Sequence, residues 1–190
     1  MSFMLLGILQ SQAAGGGAGG YDLLETTTLS GSASSVTFSG LGSYSDYAHL
    51  QIRAIGRNSL GASGATAMRV QFNSDTGANY SEHRLFGNGS SIQSAGLANA
   101  GSIDFGAIPY NSSTANAYGV SVLDILDFSN SSKYKTTRAL SGLVANLGAG
   151  NTIALRSGNW RNLNAITSMT FTTDNGSFVA NSRFSIYGVK

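Results

Sequence analysis

The sequence predicts an all-β protein, an antiparallel β-sandwich of jelly-roll type. Three observations carry that reading: short stretches of alternating apolar and polar residues, turn formers between them, and no sustained 3.6-residue period. The 190 residues include 25 glycines and a single proline, Pro109. Such punctuation suits many short strands.

The strands are expected in the following order. Asp22–Leu29 (D-L-L-E-T-T-T-L) is Thr-rich and ends at S-G-S, and in Ser35–Ser39 Val36 and Phe38 alternate with Ser and Thr. Tyr47–Arg57 is the clearest strand. Its Leu50, Ile52 and Ala54 point one way and His49, Gln51, Arg53 and Arg57 the other, with Ile55 the exception on the polar side. Met68, Val70 and Phe72 alternate with Arg69, Gln71 and Asn73; the turn Ser74–Asn79 then leads into Tyr80–Phe86, as in a hairpin. Asn88 to Asn99 reads as a loop of small residues. Tyr118–Phe128 is apolar on both faces, which predicts a central strand covered on both sides. Lys133–Leu140, Thr152–Arg156, Ala165–Thr173 and Arg183–Val189 bring the count to about ten. The expected core is Val36, Phe38, Leu50, Ile52, Val70, Phe72, Val120, Val122, Leu126, Met169, Phe171, Phe184 and Ile186.

Ahead of this domain, assigned to 21–190, stands a different kind of segment at 1–20. Met1–Leu9 (M-S-F-M-L-L-G-I-L) is almost wholly apolar, and Gly15–Gly20 is a glycine run broken only by Ala18. A secretory signal is disfavoured because no Lys or Arg precedes the short apolar run. As a helix, nine residues would rise about 13 Å, far short of the roughly 30 Å membrane core, so no membrane span is expected. The glycine run is a linker, since no strand precedes it and no G-K-[ST] follows. The segment therefore reads as an attachment arm, with Phe3, Met4, Leu5, Leu6, Ile8 and Leu9 as its contact residues.

Only 11% of residues are charged, against about 25% in ordinary globular proteins. The net charge of +2 comes from eleven thinly spread basic residues, and no cluster has the density of a nucleic-acid patch. With no cysteine there is neither a disulfide nor a thiolate metal site.

Catalytic chemistry finds little to work with. The two histidines, His49 and His83, lie in no nucleophile motif and read as surface or inter-subunit hydrogen-bonding groups. Asp124 and Asp127, three apart on a strand, point to opposite faces rather than forming a hydrolytic pair. Asp124 is expected to pair with an arginine and Asp127 to open the following turn. Asp75–Asn79 (D-T-G-A-N) lacks the acidic density of a calcium loop and reads as a turn, Asp75 capping it and Gly77 taking a positive φ. No catalytic residue, metal ligand or cofactor is expected. Candidate surface contacts are Tyr44, Tyr47, His49, Tyr80, Tyr110 and Tyr134, which lie near loops. Trp160, in G-N-W-R-N, suits a loop tip or the core, and the core is favoured.

In combination, S-S-V-T-F-S-G-L, Y-S-D-Y-A-H-L-Q-I-R-A-I-G-R, R-V-Q-F-N-S-D-T-G-A-N-Y, G-N-W-R-N-L-N-A-I-T-S-M-T-F and N-S-R-F-S-I-Y-G-V-K resemble short virion structural proteins of tailed bacteriophages, over most of Ser34–Lys190. The resemblance implies a non-enzymatic virion component and carries no catalytic residue over. The reading expected first is a tail-associated fibre or receptor-binding protein held by its N-terminal arm and facing a host-surface glycan or protein. The second is a capsid decoration (cement) protein, and a secreted lectin-like carbohydrate binder is more remote. The expected partners are other virion proteins and further copies of the chain, in a trimer, because the apolar arm needs burial.

Overall fold

In a computed structural model, the structure describes residues 20–145 and 151–190. The arm residues Phe3, Met4, Leu5, Leu6, Ile8 and Leu9 lie outside the described residues.

The fold is all-β, as expected. Among the described residues twelve strands run β1 Asp22–Thr28, β2 Ser35–Ser39, β3 His49–Gly56, β4 Ala65–Phe72, β5 Tyr80–Gly87, β6 Ile92–Ala100, β7 Ile103–Pro109, β8 Gly119–Ile125, β9 Lys135–Leu143, β10 Thr152–Trp160, β11 Ser168–Thr173 and β12 Arg183–Val189. A 3₁₀ turn occupies Leu41–Tyr44. Eight strands form one sheet in the order β1-β12-β3-β8-β9-β10-β5-β6, and four form the other in the order β2-β11-β4-β7. Every pairing is antiparallel.

The two sheets close on one core. At its centre Phe171 lies 5.2 Å from Phe184, 5.5 Å from Phe105 and 6.0 Å from Phe38, centroid to centroid. At one end Trp160 lies 5.6 Å from Phe72 and 6.3 Å from Tyr80, all three fully buried. Trp160 is thus a core residue, as favoured. Burial on β4 follows the alternation without exception, with Thr66, Met68, Val70 and Phe72 all inside.

Several expectations are corrected. Tyr80–Phe86 forms no hairpin with the preceding strand, because β4 and β5 belong to different sheets and the 73–79 turn crosses between them. Positive φ there falls on Asn73 and Ser74, not on Gly77. The true hairpin partner of β5 is β6, inside the stretch expected to be a loop. Its sequence I-Q-S-A-G-L-A-N-A has no alternation, because all of β6 but Ala100 is exposed and neither face selects for apolar residues. β7 was also not anticipated; it ends at Pro109 on the edge of the four-stranded sheet, where a missing N–H is tolerated. Arg57, expected on a polar face, is buried, and its guanidinium donates to the carbonyls of Asn111, Ser113, Thr114 and Ala117 at 2.6–3.0 Å. It holds the loop before β8 in place.

The most consequential correction concerns β8. It is central in its sheet, and Leu123 and Ile125 are fully buried. Val120, Val122 and Leu126, expected in the core, are instead 49%, 38% and 40% exposed. The four-stranded sheet covers one face of the eight-stranded sheet, and among the described residues the other face has no second layer.

Candidate functional site: the outer face of the large sheet

The antiparallel register fixes which side chains share that outer face, since directly paired residues point the same way. One row runs Arg53 (β3), Val122 (β8), Leu140 (β9), Leu155 (β10), Leu85 (β5). The adjacent row runs Ile55, Val120, Gly142, Ile153, Gly87, Ile92. Two neighbouring rows are therefore apolar across most of the sheet. Ile153 is 64% exposed, Leu140 55% and Leu155 51%. A shallow groove of about 540 Å³ lies in this face, with Ile55, Val120, Val122, Leu140 and Ile153 among its walls.

The third row changes character: Tyr187, Gln51, Asp124, Arg138, Ser157, His83. Its left half is a hydrogen-bonded chain. The Arg138 guanidinium donates to Asp124 at 2.8 Å, Gln51 Nε2 donates to the other Asp124 oxygen at 2.9 Å, and Arg53 Nε donates to Gln51 Oε1 at 2.9 Å. Arg53 also lies over the rings of Tyr187 (4.3 Å) and Tyr21 (5.3 Å). The pairing of Asp124 with an arginine, expected from sequence, is present here. The result is an apolar stripe with a fixed polar border, the anatomy of an interface core beside its rim.

The sequence-predicted contacts do not gather at one place. Tyr44 is half-buried and donates to Glu25 at 3.2 Å, while Tyr47 donates to Asp22 at 3.0 Å beside β1. Those hydrogen bonds and the neighbouring carboxylate push both phenols up from the ordinary tyrosine value, burial being the largest cause for Tyr44 and the Asp22 bond for Tyr47. His49 Nδ1 accepts the Asp127 N–H at 2.9 Å, and Asp127 also pairs with Lys133. Tyr110 is half-buried and Tyr134 exposed. Tyr80 is no surface contact at all: it is fully buried, its hydroxyl donating to the Asp75 carbonyl at 3.0 Å and accepting the Phe72 N–H at 3.0 Å. Burial raises its pKa to about 12. The tight crossing at 73–79 drives that ring between the sheets.

The residues that make the stripe were missed, yet one signal for them was available. Trp160 inside the core places Gly158, Arg156 and Ala154 inward by the two-residue period, and Ile153 and Leu155 outward.

Among the described residues no group of three or more His, Cys, Asp or Glu is placed to hold a metal, and no helix is long and apolar enough to cross a membrane. No protein-family model matches the chain, and no curated protein matches it.

Proposed function

We propose that the protein is a non-enzymatic structural subunit of a tailed-phage virion that assembles with further copies of itself through the outer face of its large sheet. A tail-associated fibre or receptor-binding role, with Met1–Leu9 as the attachment arm, is the first reading. The observation that carries the proposal is the two-row apolar stripe, including Val120, Val122, Leu140, Ile153 and Leu155, all more than a third exposed in the single chain. Isolated exposed leucines are ordinary, whereas a contiguous stripe marks an interaction surface.

Magnitudes favour a closed assembly over a lone pair. Fully burying such a side chain contributes roughly 1.5–3 kcal/mol. Six half-exposed ones (Leu85 joins the five above) therefore offer roughly 5–9 kcal/mol, against a cost of about 4–15 kcal/mol for lost translational and rotational freedom. One stripe contact is marginal by itself; several contacts made together, in a ring or on a particle, reinforce one another. A trimer is the expected form.

Mass measurement of the purified chain by light scattering or native mass spectrometry tests the assembly. A trimer that Leu140→Glu converts to folded monomer is the expected result; a wild-type chain that stays monomeric at high concentration, and monomeric on virions, overturns it. Copy number per particle separates the readings, a few dozen or fewer for a tail component and hundreds for capsid decoration.

A further inference from the structure

The inner face of the large sheet carries two arginines where apolar residues would be expected. In the β10–β5 register Arg156 stands directly opposite Arg84, and like charges in that position repel. Among the described residues neither is joined to a carboxylate by an ion pair. Arg156 is only 7% exposed, and its Nε and Nη1 are buried without a hydrogen-bond partner among the described residues. Thr66 Oγ1, on β4 of the opposite sheet, is likewise buried and has no hydrogen-bond partner among the described residues. Arg84, Arg156 and Thr66 all border one cleft of about 460 Å³, which Asn88, Asn151 and Thr152 also line and, among the described residues, no carboxylate does.

Two acids stand nearby and are otherwise engaged. Glu82 and Asp104 both exert a field on Arg156. Glu82 Oε2 accepts the Asp104 N–H at 2.6 Å, and Asp104 pairs with Arg69 at 3.0 Å. Neither satisfies the free donors of Arg156. Buried donors of this kind are costly to leave unmade, and they call for a ligand, an ion or water. A guanidinium is suited to planar oxyanions.

We propose that this cleft binds one oxyanion group, a carboxylate or sulfate, carried by a small hydroxyl-rich molecule of the acidic-sugar class. Arg156 anchors the anion, Arg84 supplies the second positive charge, and Thr66 donates its hydroxyl. The amides of Asn88 and Asn151 and the hydroxyl of Thr152 are the groups that read neighbouring hydroxyls. The cleft lies on the covered side of the large sheet, so it is separate from the assembly stripe.

The test uses the full chain titrated with sodium glucuronate, sodium sulfate and glucose, with ionic strength held constant by sodium chloride. Glucuronate and sulfate are expected to shift the Arg156 Nε–H resonance and raise Tm, and glucose to do neither. Arg84→Gln should weaken glucuronate binding at least tenfold and Thr66→Val several-fold, while Arg138→Gln, on the opposite face, leaves it unchanged. Equal shifts with chloride alone, no shift with any anion, or undiminished binding by Arg84→Gln overturn the proposal. A response to sulfate without one to glucuronate overturns the sugar assignment and reduces the site to one for free inorganic anions.

Discussion

The indole of Trp160 donates its Nε1–H to Asp75 Oδ2 at 2.8 Å, tying the end of β10 to the turn that crosses between the sheets. The same carboxylate accepts from Asn79 Nδ2 at 2.9 Å and from the Gly77 N–H at 2.9 Å. One side chain thus satisfies a buried indole and shapes the turn at once.

Replacing Asp75 should therefore cost more than its position in a turn suggests. Asp75→Ala leaves the buried Trp160 donor unpaired, and about 1–3 kcal/mol of stability should be lost in denaturant melts. Burial pushes the Asp75 carboxyl up, but the bonds from Trp160, Asn79 and Gly77 together outweigh it and hold the pKa below its ordinary 3.8. A depressed carboxyl contributes stability above its unfolded pKa and loses it as pH falls through the folded one. Wild-type stability should drop below pH 3.8, and Asp75→Asn should flatten that part of the profile.

Glu82 has the opposite sign. Burial first, then the adjacent Asp104, raises its pKa above the ordinary 4.5, against the pull of the Asp104 N–H, Arg156 and Arg84. Its contribution to stability is full below 4.5 and fades as pH rises through the raised folded value. Glu82→Gln keeps an acceptor for the Asp104 N–H and should remove this slope. Urea melts from pH 4.5 to 8 check it; a slope unchanged in the variant would assign the effect elsewhere.

On the outer face, Leu155→Glu should leave monomer stability within about 0.5 kcal/mol, as for other exposed positions, while lowering the assembled fraction by at least tenfold at fixed concentration. Sedimentation velocity together with a thermal melt separates the two effects. A loss of fold without a change in association would contradict the outward placement of this side chain.

Gly119 gives a sharper packing test. A Cβ there would run into the Ala107 carbonyl oxygen on β7, in the opposite sheet, whereas one on Gly142 would meet nothing within 4 Å. Gly119→Ala should cost about 1–3 kcal/mol, since backbone cannot step aside as a side chain can. Gly142→Ala should be close to neutral in the same assay.

Much of this architecture can be read from residue patterns, and the failures have a common cause. Alternation located β3, β4 and β11 and their core residues because a covered face selects apolar side chains at every second position. The same logic misled at β8 and assigned no face at β10; in both strands apolar residues face outward. At β8 both faces are apolar, and periodicity alone does not say which layer lies outside the chain. At β10 the inward positions are Ala154, Arg156 and Gly158. Gly158 is forced small because Ile103 and Thr137 leave no room for a Cβ, so the usual signature of an inner face is missing. β6 escaped notice because it is covered on neither side. The tyrosines were judged by proximity to loops, which cannot distinguish Tyr134 at the surface from Tyr80 beneath a crossing.

The two edges of the large sheet differ in a way that bears on handling and on growth. β1 carries Asp22 and Glu25 and a register shift between Leu23 and Glu25, features that discourage another strand from docking. β6 has neither charge nor proline, and among the described residues no strand neighbours its outer backbone groups. An unguarded edge is a template for continued strand addition, so the end of the sheet at Ile92–Ala100 is where concentrated preparations should begin to form fibrils. A lysine at Ser94 or Ala98 is the simplest blocker.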